Sequence, residues 1–202
     1  MKLSYPMAPS NGVQTLRPAL QAALQTQGFG INRQFANAVP SKISLSEPYR
    51  GYSLSLEDLA QGKGLKAATQ GNWHYLVFSD GTTIADAELA EVHGHVEFSS
   101  LNHGAMAPAT VSALNLAENS ASLQGKSYEL RVLFVSALHF VAIWLHANDA
   151  GNEDIIIPIE PTPKSLASTQ LYNEVKLLAL LTPAANQTKK LFDADTTGLL
   201  GS

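Results

Sequence analysis

Between residues 86 and 103 the sequence gathers Asp86, Glu88, Glu91, His93, His95, Glu97 and His103. Three of the six histidines of the chain fall in this span. Imidazole and carboxylate supply the electron pairs that hold a divalent ion such as zinc, and two imidazoles with a third His or a carboxylate leave a coordination position for water. Water bound there becomes a nucleophile. The chemistry this set would support is metal-dependent hydrolysis, with His93, His95 and His103 as the metal ligands. His93-Gly94-His95 places both imidazoles on one side if the backbone is extended. The competing reading is a polar loop that enters a capped helix.

No other stretch carries a complete catalytic motif: there is no Gly-x-Ser-x-Gly elbow, no His-Glu-x-x-His and no Gly-x-Gly-x-x-Gly. Gly62-Lys63-Gly64 lacks the Lys-Ser/Thr ending of a phosphate loop. Asp193-Ala194-Asp195-Thr196-Thr197-Gly198 resembles the opening of a calcium loop, but the sequence stops before the twelfth-position glutamate. His139 and His146 are seven apart, so on one strand they point to opposite faces. His139, among Val141, Ile143 and Leu145, reads as a buried hydrogen-bonded histidine, and His146 as a solvated one at a strand end. Trp73, Tyr75 and Trp144 read as core or half-core residues, with an aromatic binding surface as the alternative. His74 falls on the opposite face from Trp73 and Tyr75. Ser99 to Gly104 could offer backbone N–H groups to an anion, as every capped helix start can.

The elements that must position these residues follow from periodicity. Residues 1–12 read as a flexible N-terminal arm, broken by Pro6, Pro9 and Asn11-Gly12. Val13, Leu16, Leu20 and Ala23 recur at helical spacing and predict a helix over 13–27. Thr15 or Ser10 would cap it, Gly28 and Gly30 would end it, and Pro18 is tolerated only in its first turn. Residues 31–53 lack periodicity and suggest a crossing segment with a short strand at best. A short helix within 54–65 is capped by Ser53 or Ser55.

Trp73 to Ser79 is aromatic and β-branched, Asp80-Gly81 follows, and a second such run begins at Thr82. An Asp-Gly pair between two such runs predicts a two-residue hairpin over 73–89. From Ala85 to Glu91 the composition favours helix, and only the hairpin argues for strand. A helix over 105–119, with Pro108 in its first turn and Ser100 or Asn102 as cap, comes next. Tyr128 to Ala147 reads as two strands that bend at Ser136-Ala137, with a buried helix as the alternative. Ile155 to Ile159 is a further strand, near an edge because of Pro158. A last helix over 166–181 is capped by Ser165 and stopped by Pro183.

The fold class is therefore α+β: an antiparallel sheet, made from the 73–89 hairpin and strands within 128–159, covered by three main helices. The expected organisation is a single α+β domain over 13–182, with a polar C-terminal tail over 183–202. At 202 residues the chain can bury roughly 70% of its unfolded surface and needs no metal to fold. Charged residues are 15% of the chain and the hydrophobic set 45%, a balance that excludes global disorder. The absence of cysteine removes disulfides, zinc–thiolate sites, iron–sulfur clusters and a thiol nucleophile.

A net charge of −4, with Lys189-Lys190 as the one adjacent basic pair, argues against a nucleic-acid partner. Val132 to Leu145 is shorter than the roughly 18 residues of a membrane span, and the N-terminal residues lack a secretory pattern. A soluble cytoplasmic protein without a cofactor is expected. Few surface charges, and Gln14, Gln21 and Gln25 on the first helix, favour a non-catalytic domain that binds a protein partner or a second copy of itself. The alternative is the metal-dependent hydrolase at 86–103. A small-molecule binder with a pocket between helix and sheet is a third reading.

Overall fold

The computed structural model describes residues 1–25, 35, 37–163, 166–168 and 170–194. The chain is α+β. Its strands are β1 (Lys2–Ser4), β2 (Ile43–Leu45), β3 (Tyr49–Ser53), β4 (Thr69–Ser79), β5 (Thr82–Val92), β6 (His95–Asn102), β7 (Ser127–Val135), β8 (Phe140–Ala147), β9 (Ile155–Ile159) and β10 (Tyr172–Asn173). The α-helices among the described residues are α1 (Gly12–Gln25), α2 (Leu56–Ala60), α3 (Met106–Glu118) and α4 (Glu174–Ala194). The strands form one sheet in the order β10-β9-β8-β7-β3-β4-β5-β6, with β1 added to β7 and β2 to β4.

The sheet is mixed, not antiparallel throughout: β3 and β1 both run parallel to β7. The expectation failed because β3 lies in the segment without periodicity and β1 in the supposed arm. Local pattern carries no information about such long-range pairing. The helix count also differs. Ser55 caps α2, whose hydroxyl accepts the Asp58 N–H, so the short helix joins the three longer ones.

Hydrophobic alternation builds the rest. Asp80 and Gly81 both take positive φ, so β4 and β5 meet in the tight hairpin that an Asp-Gly pair favours. That pairing carries Ala85 to Glu91 into strand against their helical composition. The Val132–Leu145 run is two strands around a turn at Ser136–Leu138, closed by His139 in the left-handed conformation. Leu130, Val132, Ile143 and Leu145 point to one sheet face, where Ala107, Ala113 and Ala117 of α3 cover them. The opposite face has two covers. Leu16 and Leu20 of α1 pack on Trp73, Tyr75 and Val77. Leu177, Leu181 and Ala185 of α4, with Leu59 of α2, pack on Leu133, Val135 and Trp144.

The helix ends depart from the expectations in four places. α4 starts at Glu174, eight residues after the expected start, and runs through Pro183. An interior proline costs a helix about 3 kcal/mol, which the burial of Leu177, Leu181 and Ala185 on both sides of it offsets. Residues 183–194, expected within the C-terminal tail, continue α4. Pro18 likewise sits inside α1. α3 has no side-chain cap, and Asn102 instead accepts the Gly104 N–H. The expected stops at Gly28 and Gly30, the cap at Ser165 and the calcium-like residues from Asp195 onward lie outside the described residues.

Both ends of the sheet are blunted. β10 is two residues long. On β6, the Asn11 side chain grips the backbone of Val96, donating to its carbonyl at 3.0 Å and accepting its N–H at 3.3 Å. A side chain on an edge residue's N–H and C=O interrupts, at that residue, the template on which another strand would pair. Among the described residues no helix is long and apolar enough to cross a membrane.

Candidate functional site

The acid and histidine cluster at 86–103 falls on the β5–β6 hairpin, not on a loop before a helix. His93 and Gly94 have φ of 51° and 81°, so the backbone reverses there: His93 lies in the tight turn and His95 just after it, both exposed. His103 lies beyond the other end of β6, its ring 5.6 Å from that of Phe35. The rise of an eight-residue strand separates His95 from His103 by about 25 Å. One ion cannot be held by both within a chain. Among the described residues no group of three or more His, Asp or Glu side chains is placed to hold a metal.

The acids of the cluster instead serve partners across the sheet. Asp86 is buried and binds two groups: the Tyr49 hydroxyl donates to it at 2.5 Å, and His74 Nδ1 lies 2.8 Å away. His74 stacks between Tyr49 and Phe134. Burial, then the charge of Asp86, pushes the Tyr49 hydroxyl well above its usual range. All three residues are at most 3% exposed, so this network knits β3, β4 and β5 beneath α3 and offers nothing to solvent. Glu88 accepts from Asn72 and Ser100.

On the opposite face the strand registers align four side chains in a row. Trp73 pairs with Arg50, Arg50 with Arg131, and Arg131 with Trp144. The row crosses the sheet where the α1 cover meets the α2–α4 cover. Arg50 stacks on Trp73 at 4.4 Å from the ring centre and reaches Glu91 at 2.6 Å, and Trp73 Nε1 donates to the same carboxylate. Arg131 lies within 5 Å of two ring centres, Tyr52 at 4.7 Å and Trp144 at 4.8 Å, with Nε donating to Glu129 at 2.6 Å. Cation–π contacts of desolvated guanidinium groups are worth about 2 kcal/mol. These contacts fix both arginine planes.

Beside Arg131 the row opens into a pocket of about 500 Å³. Tyr52, Arg131, Trp144 and His146 form its floor, Leu65 to Ala68 one wall, and residues 152–154 with the start of α4 the other. Asp154 organises the floor. It accepts Trp144 Nε1 at 2.7 Å, Ala147 N–H at 2.9 Å and a bond from His146 Nδ1 at 3.0 Å. Burial raises the Asp154 carboxyl, but the bonds from His146, Ala147 and Trp144 together outweigh it and hold the group below its usual range. With Nδ1 turned to Asp154, His146 has Nε2 left for a ligand. Glu174 accepts the Leu65 N–H at 2.7 Å, which ties the start of α4 to the wall. Gly64 permits this, since a methyl group there would collide with Glu174 Oε1.

His146 is therefore half-buried and bonded to Asp154, where the sequence suggested a solvated residue. His139 is exposed at a turn, where the sequence suggested a buried one; its left-handed backbone places it outside the strand. Trp73, Tyr75 and Trp144 are buried at 3–5% exposure, as core residues. The Arg131–Trp144 pairing had a signal in the sequence. A turn centred between residues 137 and 138 pairs positions equidistant from it, and 131 and 144 are equidistant.

No family model, no curated protein and no solved structure matches this chain.

Proposed function

We propose that this chain is a ligand-binding domain that takes a small molecule in the pocket between β3, β7, β8 and the start of α4. The observation that carries the reading is the Arg131 guanidinium set against the edge-to-face Tyr52–Trp144 pair at the pocket floor. A guanidinium packed against the T-shaped Tyr52–Trp144 ring pair and tied by Nε to Glu129 is ordered before any ligand arrives, so binding need not pay to order it. The volume lies within the range of about 300–1,000 Å³ used by small-molecule sites, and the lining mixes aromatic groups with a few convergent polar ones.

A protein partner or a second copy is a weaker reading. Docking by strand addition needs an open edge; at one end β10 is two residues long, and at the other Asn11 interrupts β6 at Val96. Metal-dependent hydrolysis at 86–103 lacks converging ligands.

Thermal unfolding in the presence of a fragment library tests the proposal, with every hit repeated on Val175→Trp. Val175 lines the pocket from the solvent side of α4 and is 75% exposed, so an indole there fills the pocket without entering the core. Fragments are expected to raise the unfolding temperature of the native chain and to lose that effect in the variant. No stabilising fragment, or stabilisation equal in both proteins, overturns the proposal.

A further inference from the structure

We infer that the ligand of this pocket carries an oxyanion, a carboxylate or a phosphate, held by Arg131 and Lys66; the inference rests on the pocket reading above. It follows from which charged groups of the lining are already satisfied. Each acid has a donor within the chain: Asp154 has three, Glu174 Oε1 has the Leu65 N–H, and Glu153 Oε2 has Asn173 Nδ2 at 3.3 Å. The cations keep more uncommitted donors. Arg131 commits only Nε, and its two terminal amino groups have no hydrogen-bond acceptor among the described residues. The Lys66 ammonium has neither an acid nor a hydrogen-bond partner among them.

A neutral apolar ligand would strip water from these donors and replace it with nothing, which costs several kcal/mol for charged groups. A cationic ligand would have to lie beside the Arg131 guanidinium, and the lining acids that could receive it, Glu153, Asp154 and Glu174, each already accept a hydrogen bond. An oxyanion supplies what is missing, since the guanidinium fork matches a carboxylate or phosphate with two parallel bonds. The ring faces of Tyr52 and Trp144 are spent on Arg131, so they hold the anion-binding group and not the ligand itself.

Calorimetric titration with inorganic phosphate, malonate and neutral malonamide tests this on the native chain, Arg131→Met, Arg131→Lys and Lys66→Ala. Saturable binding of malonate or phosphate, but not malonamide, is expected, and the tighter of the two anions identifies the source of the charge. Affinity should fall at least about tenfold in Arg131→Met, the loss of a charged hydrogen bond. It should fall less in Arg131→Lys, which keeps the charge without the fork, and a few-fold in Lys66→Ala. Lys66 is exposed, so that variant reads the site even if replacing Arg131 harms folding. Malonamide binding as tightly as malonate, or anion affinity unchanged in Lys66→Ala and in a folded Arg131 variant, overturns the inference. Neutral fragments that are lost in Val175→Trp, with neither anion bound, leave the pocket reading standing and this inference refuted. No binding by compounds of any charge refutes both.

Discussion

Arg50 and Arg131 are direct register partners on the parallel strands β3 and β7, side by side on one face of the sheet. Like charges so placed repel and destabilise a sheet. Here each is stacked on a tryptophan of its other neighbouring strand, and each has its own carboxylate, Glu91 for Arg50 and Glu129 for Arg131. The two halves differ in what lies next to them. Glu91 takes both the Arg50 guanidinium and Trp73 Nε1, whereas Trp144 Nε1 goes to Asp154 at the pocket and leaves Glu129 to Arg131 alone. One arginine is structural and its neighbour faces a cavity.

Replacing Glu91 by Gln should expose the repulsion. Arg50 is 9% exposed at its side chain and keeps an Nε without any partner, so its charge depends on this carboxylate. Glu91 itself is 37% exposed, and water entering the gap softens the loss. Urea unfolding is expected to show a lower midpoint than that of the native chain. Adding Arg50→Met to Glu91→Gln should recover part of the drop, because the unpaired charge is then gone.

Asp154 sets the acid limb of stability. Its folded carboxyl sits below the ordinary value of 3.8, so its contribution is present above that value and is lost as pH falls through the lower folded value. Asp154→Asn should destabilise the chain by about 1–3 kcal/mol at neutral pH, since two or three donors lose a charged acceptor. The gap between variant and native protein should narrow as pH falls below about 4, which denaturant midpoints measured across pH will show.

Gly51 faces His74. A β-carbon there would stand 2.9 Å from His74 Nε2 and 3.3 Å from the Asn72 carbonyl. His74 is clamped between two rings and bonded to Asp86, so it cannot yield. Gly51→Ala is expected to cost about 1–3 kcal/mol by overpacking, read as a lower unfolding midpoint.

His93 acts as a turn residue. Its φ of 51° is one that asparagine tolerates and β-branched residues resist. His93→Asn should leave stability unchanged or slightly raised, and His93→Val should lower it by about 1–2 kcal/mol. A metal-ligand role would instead make the two substitutions equivalent in any zinc-dependent readout.

Local chemistry made the hairpins legible in the sequence. Asp80-Gly81 marks its turn because both positions need positive φ, and the apolar run from Val132 reads as strand because β-branched and aromatic residues dominate it. His93-Gly94 is the same kind of turn, but the acids and histidines around it drew the reading toward metal chemistry. The parallel pairing of β3 with β7 had no local trace, so the arginine row and the pocket beside it were out of reach. In the sequence, Arg131 shows only as a polar residue in the alternating start of a strand, Tyr128-Glu129-Leu130-Arg131. Its importance comes from Tyr52, 79 positions earlier, and Trp144, 13 later, meeting around it. The start of α4 was misplaced because Leu166 and Leu171 extend its apolar pattern backwards, although Thr162 already binds the Leu166 carbonyl outside any helix.

The two tryptophans give the most direct test of the pocket as the binding site. Trp144 Nε1–H points to Asp154 in the pocket lining, and Trp73 Nε1–H points to Glu91 outside it. In ¹H–¹⁵N spectra of the native chain titrated with malonate, the Trp144 indole signal should shift to saturation while the Trp73 signal stays in place. A stationary Trp144 signal, or a shift confined to Trp73, would contradict the account.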